Sequence, residues 1–392
     1  MYDVGITFEG PKCIVDFGRG KFVLDGPDRG QERGQTYDFA VYALIAVGLA
    51  KGIGFRFPYP ISTEVQTRVR ENLFVWDAWR KKHLRSTAFE FSQVAAPRPR
   101  AESGGIIALS GGIDSTYGAL IAKHQLGITD ALLIAGADYS DAGQAGFVDL
   151  RRRVQAIADL IGLRLHVLET DIRSLGINWT YLHPMVLAAC LHYAGGGLKH
   201  GVFSSDSTFW IDLTSTSSAN YPGFIETLST DQFPLSHVGS NATRVDKLKF
   251  LDEMLPQVFD HMSVCWKDTA TGGNCGTCEK CRRTQLCMVS AGLDPRRMFP
   301  NYQPLAEIFD ATPLPRKRDK ILTQGQYFTK SLRHLPIGPE RDAAIRMLTR
   351  IQDATGGHFM QGATPDFGPI PVGSVARLLD DKSGIISPVI RG

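Results

Sequence analysis

A pair of glycines inside a hydroxyl-rich turn constrains the fold of this chain more than any other sequence feature. The segment Leu-Ser-Gly-Gly-Ile-Asp-Ser-Thr occupies residues 109–116 and begins with the last residue of the apolar run 106–109. Residues 117–121 continue with the spacing of an apolar helix. This pattern predicts a strand, a tight turn and the N-terminus of a helix.

The predicted turn is suited to binding a phosphate group. Backbone N–H groups and the positive end of the helix dipole converge at such a point. Ser110, Ser115 and Thr116 add hydroxyl donors. Asp114 offers a carboxylate for a Mg²⁺ ion that bridges phosphates. The predicted nucleotide-binding residues are Ser110, Gly111, Gly112, Ile113, Asp114, Ser115, Thr116 and, after the next strand, Asp138.

The turn has two other possible interpretations, a Walker A loop and an ordinary glycine turn. A Walker A loop is excluded, because no Gly-Lys-Ser or Gly-Lys-Thr follows the required four-residue gap. An ordinary glycine turn without a ligand is the simpler alternative. For Asp138, N-capping of the next helix is the alternative to a nucleotide or metal contact.

Length and charge limit the class of protein. The 392 residues suffice for one large domain with additions or for two to three domains. A net charge of +3 argues against a broad nucleic-acid-binding face. The longest apolar run, residues 39–50, is too short to cross a bilayer and predicts a buried helix. The first residues lack the basic and apolar regions of an export signal, so a cytoplasmic location is expected.

Residues 1–100 are predicted to form a separate N-terminal α+β domain. Short apolar runs at 6–8, 13–17 and 21–24 indicate strands. Helical spacing follows at 37–50 and 63–83, and the proline-containing stretch 95–100 is expected to be a linker.

Residues 101–295 alternate between strand and helix patterns. Strands are predicted at 106–109, 131–135, 163–168 and 201–204, with helices from 142 and over 185–193. This alternation predicts an α/β fold with a parallel sheet covered by helices on both faces. Ligands bind at the carboxyl ends of such strands. The polar residues at these ends are Ser110, Asp138, Thr170 and Asp206.

Residues 233–247 predict a strand, a loop and a helix that Thr243 caps. Asp246, three residues later, completes a capping box. Arg244 and Lys247 share one face of this helix, where they either approach phosphate or remain exposed to solvent.

Four cysteines in a short segment predict a metal site. Cys265, Cys275, Cys278 and Cys281 have the spacing Cys-x9-Cys-x2-Cys-x2-Cys. Four thiolates complete a tetrahedron around Zn²⁺ and leave no open position, so the predicted role is structural. An iron–sulfur cluster and a redox cysteine pair are the alternatives.

The turn and the cysteine cluster together resemble the 7-cyano-7-deazaguanine synthase family of the N-type ATP pyrophosphatase (PP-loop) superfamily. The resemblance covers residues 104–293 and rests on Ser-Gly-Gly-x-Asp-Ser and Asn-Cys-Gly-x-Cys-x-x-Cys. It implies an adenine nucleotide alpha hydrolase-like fold, with ATP, Mg²⁺ and Zn²⁺ as cofactors. It also implies adenylation of a 7-deazaguanine carboxylate and its conversion to an amide or nitrile with ammonia. The implied catalytic residues are Ser110, Asp114, Ser115 and Lys247.

The chain departs from that family on the substrate side and at both ends. The family's Gly-Arg-Asn ahead of its central helix is replaced by residues 182–184, Leu-His-Pro, and its Tyr-Pro-Asp-Cys-Arg segment has no counterpart near Asp206. Residues 296–392 are expected to form an added helical extension, either a lid or a docking surface. The chain resembles long variants of the family, some of them from bacterial defence systems.

Several functions remain open from the sequence. The activated deazapurine could be joined to ammonia, another amine or a protein partner. A tRNA-modifying enzyme of the same superfamily and a nucleotide-binding protein without catalysis are alternatives. Homodimerisation is compatible with the resemblance, and neither a membrane nor a nucleic acid is expected as a partner.

Overall fold

The computed structural model describes residues 1–27, 36–79, 84–96, 99–139, 141–209, 220–265, 267, 270–309, 314, 321, 331–332 and 334–355. Its strands are β1 (Tyr2–Asp3), β2 (Gly5–Glu9), β3 (Lys12–Asp16), β4 (Lys21–Asp25), β5 (Phe55–Ile61), β6 (Phe89–Val94), β7 (Gly105–Ala108), β8 (Asp130–Ala135), β9 (Arg164–Thr170), β10 (His200–Ser204) and β11 (Leu235–Val238). Its helices are α1 (Asp38–Lys51), α2 (Thr63–Trp79), α3 (Ile113–Leu126), α4 (Ala145–Ile161), α5 (Trp179–Ala194), α6 (Pro222–Glu226), α7 (Arg244–Met254), α8 (Glu279–Ser290), α9 (Leu305–Ile308) and α10 (Pro339–Thr355).

The main sheet has the order β11-β10-β7-β8-β9-β4-β3-β2. The strands from β11 to β9 are parallel to their neighbours, and β4, β3 and β2 continue the sheet in antiparallel pairing. Helices pack on both faces of the parallel part. The α/β class and the predicted parallel sheet are therefore confirmed.

The strand order reverses at β7. The chain runs from β7 through α3 to β8 on one side, whereas the later strand β10 pairs with the other side of β7. In open α/β sheets, ligands bind at such a reversal, in the crevice outside the carboxyl ends of the strands. The turn after β7 and the turn after β10 border this crevice.

Two hydrophobic cores lie on opposite faces of the sheet. One core joins α3, α4 and α7 to Ile107 and Val202 of the strands. The other joins α1 and α5 to Ile106 and Phe203. The apolar run 39–50 forms most of α1, whose residues 39–49 are buried, and α1 packs against the equally apolar α5. Both helices are buried on nearly all sides because neither sequence has a polar face.

The three strands predicted for the N-terminal domain do not form a sheet of their own. Leu24 and Asp25 of β4 pair with Thr170 and Glu169 of β9. The Tyr193 hydroxyl adds a hydrogen bond to the Pro11 carbonyl at 2.7 Å. Residues 5–25 thus extend the main sheet, and the boundary expected near residue 100 does not separate them from it.

A second, three-stranded sheet was not predicted. It has the order β1-β5-β6, and all of its pairings are parallel. The two prolines of β5 obscured its strand pattern, since proline cannot donate to a ladder. They lie where the register shifts between Phe57 and Pro60, which is how the strand accommodates them. Of the expected linker, residues 97 and 98 lie outside the described residues.

The C-terminal extension begins as helical structure that packs on the central domain. Leu305 of α9, Met347 and Ile351 of α10 form a third core with Leu286 of α8. The proline-rich stretch 365–371 lies outside the described residues. In the part of the chain that the structure describes, no helix combines the length and apolar character needed to cross a bilayer.

Candidate functional site

The predicted glycine turn connects β7 to α3 at the point where the strand order reverses. Gly112 is the N-cap residue of α3, and no side chain caps this end. The first intrahelical bond runs from the Thr116 N–H to the Gly112 carbonyl at 2.9 Å. The N–H groups of the preceding first-turn residues have no acceptor within the helix. The helix end is therefore arranged to bind an anion.

Hydroxyl groups hold the turn in this conformation. Ser115 Oγ lies 3.1 Å from Ser110 Oγ and donates to the Gly112 carbonyl at 3.1 Å. Ser115 Oγ also accepts a hydrogen bond from the Ser110 N–H at 3.2 Å. Ser115 is buried, whereas Ser110 is exposed at the mouth of the turn. Of these two hydroxyls, that of Ser110 is the one available to a ligand.

Two positions around the turn require glycine, because neighbouring side chains lie too close for a Cβ atom. Gly111 has a φ of +78°, and a Cβ there would lie 2.8 Å from Val154 of α4. A Cβ on Gly118 would lie 2.1 Å from Ser204 Oγ, because α3 crosses the end of β10 at this residue. The glycines allow the turn and α3 to pack directly on the sheet and on α4.

Asp114, the second residue of α3, binds two cationic side chains. Arg244 donates to Asp114 Oδ2 through Nε at 3.0 Å and Nη2 at 2.8 Å. Lys247 Nζ donates to Asp114 Oδ1 at 2.9 Å. The three charges leave a net excess of one positive charge beside the helix N-terminus, which favours an anionic ligand.

The capped helix α7 positions both cations. Thr243 and Asp246 form the predicted capping box, so the first turn of α7 is fixed. Lys247 is only 1% exposed, and its Nζ also donates to the Ser205 carbonyl at 2.5 Å. Solvent exposure, one of the two expectations for these residues, is therefore wrong for Lys247. Arg244 also lies in the site, with its side chain 17% exposed.

The electrostatics keep Asp114 ionised. Burial alone would raise the pKa of its carboxyl group, but the charges and hydrogen bonds of Arg244 and Lys247 reverse this. The net effect is a pKa well below the usual range of an aspartate. Asp114 is consequently a carboxylate at every pH at which the protein is expected to work.

Asp138 does not join this cluster within the described residues. It follows β8, is substantially exposed, and its Oδ1 lies 3.7 Å from Arg173 Nη1. Its predicted alternative role as a helix N-cap is wrong, because α4 begins at Ala145 with Gln144 in the capping position. Thr170, also predicted at a strand end, is buried where Gly136 approaches its carbonyl. The nucleotide contact of Asp138 stays a prediction.

The four predicted cysteine ligands meet at one point. Their sulfur atoms all lie within 4.8 Å of one another. Cys265 Sγ and Cys278 Sγ are 3.9 Å apart, and Cys275 Sγ and Cys281 Sγ are 3.8 Å apart. Zinc–sulfur bonds of about 2.3 Å in a tetrahedron require separations of about 3.8 Å. The cluster is positioned to bind a metal ion and is compatible with zinc.

Backbone groups support the thiolate form of this cluster. The Cys278 N–H donates to Cys275 Sγ at 3.3 Å, and the Cys281 N–H donates to Cys278 Sγ at 3.4 Å. Hydrogen bonds from the Cys281 thiol and backbone lower the pKa of Cys278, whereas the contact with Cys278 and burial raise the pKa of Cys281. The remaining cysteines, Cys13, Cys190 and Cys287, are buried away from the cluster.

The segment that carries the four cysteines is hydrogen-bonded directly to the glycine turn. The Ser263 N–H donates to the Gly111 carbonyl at 2.9 Å. Asn274 binds the same segment, since its Oδ1 accepts from the N–H groups of Val264 at 2.7 Å and Cys265 at 3.3 Å. The residues before the first cysteine therefore hold the turn. Sequence patterns alone do not identify Asn274 or the Ser205 carbonyl as contributors to the site. The one sequence feature that could have indicated Asn274 is its position in the Asn-Cys-Gly motif.

A separate surface cleft, of about 330 Å³, lies away from this site. It is lined by residues of β4, β9 and α4, including His166 and Arg151. Its walls contain none of the predicted site residues, so we assign the candidate site from the side-chain geometry at the strand reversal. No protein-family model matches the chain, and a search of curated proteins finds no match either.

Proposed function

We propose that this protein is an ATP-dependent, AMP-forming ligase that adenylates a carboxylate. The observation that carries the proposal is the position of Asp114. It lies on the first turn of α3, at the reversal of strand order, with Arg244 and Lys247 bound to its two carboxylate oxygens. A nucleotide with its phosphates at the N-terminus of α3 would lie beside both cations.

The site residues have distinct roles in this proposal. Backbone N–H groups of the turn and the Ser110 hydroxyl bind the β and γ phosphates, while Arg244 and Lys247 stabilise the charge of the departing pyrophosphate. Asp114 would hold Mg²⁺, which neutralises phosphate charge when bound. Ser115 keeps the turn in its binding conformation. Catalysis is then mainly positioning of the carboxylate and electrostatic stabilisation.

The substrate we favour is a 7-deazaguanine carboxylate, with ammonia or an amine as nucleophile. This choice rests on the resemblance of the turn and the cysteine motif to 7-cyano-7-deazaguanine synthases. An amide or a nitrile would be the product, and conjugation to a protein partner is a variant of the same chemistry. The cysteine cluster, with four ligands and no open position, would hold a structural zinc ion.

Two alternatives are less well supported. A tRNA-modifying enzyme would need a basic face for RNA and, for sulfur transfer, reactive cysteines free of metal. The net charge is only +3, and the clustered cysteines are positioned as ligands. A nucleotide-binding protein without catalysis would share the turn. It would also share the cation pair, so turnover of ATP to AMP is the observation that distinguishes a ligase from it.

The proposal is tested by product analysis. The zinc-loaded protein is incubated with MgATP, 7-carboxy-7-deazaguanine and ammonium, and the deazapurine is followed by mass spectrometry. An amide or nitrile together with AMP would support the ligase assignment and its substrate. AMP without a new base would require another nucleophile, and a mass shift on a partner protein would identify the conjugating variant.

A further inference from the structure

Among the residues that the structure describes, neither ring nitrogen of His237 makes a hydrogen bond of ordinary geometry, and the Asn220 backbone is the one group that interacts with the ring at longer range. His237 lies on β11, the outermost strand of the parallel part of the sheet, one residue before the strand ends. Both Nδ1 and Nε2 are buried. Buried polar atoms in proteins are nearly always satisfied, so each exception needs an explanation such as catalysis or a bound ligand.

The position of His237 places it at the edge of the proposed catalytic site. His237 pairs in register with Phe203 of β10, so the two side chains lie on the sheet face that carries α5 and α6. The turn that follows β10 contains Ser205, whose carbonyl accepts the hydrogen bond of Lys247. His237 and Lys247 therefore approach the same turn, His237 from β11 and Lys247 from α7.

Asp206 connects the two groups. Its carbonyl accepts a hydrogen bond from Arg244 Nη2 at 3.4 Å, and its Oδ1 accepts one from Asn220 Nδ2 at 3.2 Å. Its negative charge acts on His237, as does the positive charge of Lys247. The main chain of Asp206 thus contacts Arg244, while its carboxylate acts electrostatically on the imidazole.

The imidazole is neutral in this environment. Burial lowers the pKa of His237 to about 4; Asp206 and the Asn220 backbone oppose this effect, and Lys247 reinforces it. A neutral imidazole has one N–H donor and one nitrogen lone pair. Near pH 7 the lone pair is free to accept a proton, and Asp206 would stabilise the imidazolium that results.

We infer that His237 accepts the proton of the amine nucleophile when the activated acyl group is transferred. This assignment rests on the proposed ligase function and extends it by naming the group that receives the proton. The observations that carry it are the ring nitrogens without a hydrogen bond of ordinary geometry, the location at the carboxyl end of β11, two strands from the reversal at β7, and Asp206 as the counter-charge.

The step is balanced as follows. The amine nitrogen forms a bond to the acyl carbon, and the bond between that carbon and the phosphate oxygen breaks. AMP leaves with the electron pair of the broken bond. The proton lost by the amine moves to a ring nitrogen of His237 and is later released to solvent, so no oxidant or further reactant is needed.

The experiment separates the two half-reactions in the zinc-loaded full-length protein. Adenylation of 7-carboxy-7-deazaguanine is measured as exchange of labelled pyrophosphate into ATP, which needs no amine. Acyl transfer is measured as amide formation with ammonium across a range of pH. The variant is His237→Gln, which keeps hydrogen-bonding capacity but cannot take up the proton. The matched control is His124→Gln, at an exposed histidine of α3.

We expect His237→Gln to retain the wild-type rate of pyrophosphate exchange within about twofold. Its rate of amide formation should fall about 100-fold, which is the lower end of the rate enhancement that a general base contributes. The loss should shrink as the pH rises and solvent hydroxide can take the proton. His124→Gln should match the wild type in both assays. Added imidazole should restore amide formation to His237→Ala, which leaves space for it.

Three results would overturn the assignment. One is amide formation by His237→Gln at the wild-type rate. Another is an equal loss in both half-reactions without rescue of His237→Ala by imidazole, which would indicate a structural role only. The third is a wild type that shows no exchange of pyrophosphate with this carboxylate, which would overturn the proposed function as well. The first two results leave adenylation by the wild type intact and so concern His237 alone.

Discussion

Lys247 Nζ lies 2.9 Å from Asp114 Oδ1 although the two residues are 133 positions apart in the chain. The Lys247 side chain is 1% exposed and the Asp114 side chain 18%. The ring of Tyr117 also lies beneath the ammonium, with 5.7 Å between Nζ and the ring centroid. A lysine this deeply buried needs a counter-charge, and Asp114 provides it from the first turn of α3.

Removal of the counter-charge should destabilise the fold. Asp114→Asn leaves the Lys247 ammonium buried without its anion, so we expect a loss of about 3 kcal/mol in the free energy of unfolding. Asp149→Asn is the matched control, because Asp149 pairs with Arg152 and Arg153 on the more exposed surface of α4. That change should cost less than about 1 kcal/mol. Equal losses in urea denaturation would contradict a buried ion pair at Asp114.

The pH dependence of stability should include a contribution from His192. Burial lowers the pKa of its ring to about 4, and its Nε2 bonds to the Leu228 carbonyl at 2.8 Å. In the unfolded chain the pKa returns to about 6.5. The native state therefore binds fewer protons between these values, and the stabilisation present above pH 6.5 is lost as the pH falls towards 4.

The contribution of His192 is measured as the slope of the free energy of unfolding against pH. Between pH 6 and 4.5, His192 should account for up to about 1.4 kcal/mol of lost unfolding free energy per pH unit, the value for one proton. His192→Leu should reduce the slope by that amount even if it lowers the overall stability. An unchanged slope would show that His192 titrates alike in the folded and unfolded chains.

Metal removal should affect the glycine turn as well as the cysteine cluster. We expect one zinc ion per chain by elemental analysis, with no visible absorption from iron and sulfur. A chelator should lower the melting temperature and weaken ATP binding, because the residues before Cys265 hold the Gly111 carbonyl. Cys281→Ala should reproduce both effects.

Cys13→Ala provides the control for the cysteine variants, since Cys13 is buried in β3 outside the cluster. It should keep the full zinc content. Loss of zinc from Cys13→Ala, or full zinc retention by Cys281→Ala, would contradict the assignment of the four ligands.

The close contact between α3 and β10 should not tolerate a methyl group. Gly118→Ala would bring Cβ to 2.1 Å from Ser204 Oγ, so α3 must move. Overpacking of this kind costs about 1–3 kcal/mol. Gly196→Ala, where no atom lies within 4 Å of the added Cβ, should be nearly neutral. Thermal denaturation compares the two, and similar melting temperatures would contradict the stated contact.

Local sequence signals predicted the central sheet and the turn well. Apolar runs bounded by glycine marked β7 to β10, and the cap at Thr243 placed the start of α7 correctly. The pairing of Asp114 with Arg244 and Lys247 could not be predicted, because it depends on how α3 and α7 pack. The pattern on α7 alone was equally consistent with exposed cations.

The largest departures arose from contacts between distant segments. β4 joins the sheet through pairing with β9, about 145 residues later, and nothing in its own sequence specifies that neighbour. β5 was missed because its prolines suppress the strand pattern. His237 was not recognised as a candidate, since a single histidine in a strand has no sequence signature and its lack of a hydrogen bond of ordinary geometry is visible only in three dimensions.

The nucleotide product tests the central claim most directly. ATP labelled in the α phosphate is incubated with the zinc-loaded protein, Mg²⁺, 7-carboxy-7-deazaguanine and ammonium, and the labelled nucleotides are separated. We predict labelled AMP and an equal amount of pyrophosphate from the wild type and from Asp149→Asn, with at least a 100-fold loss in Asp114→Asn. Labelled ADP, or unchanged ATP, would contradict the account of this site as an adenylating centre.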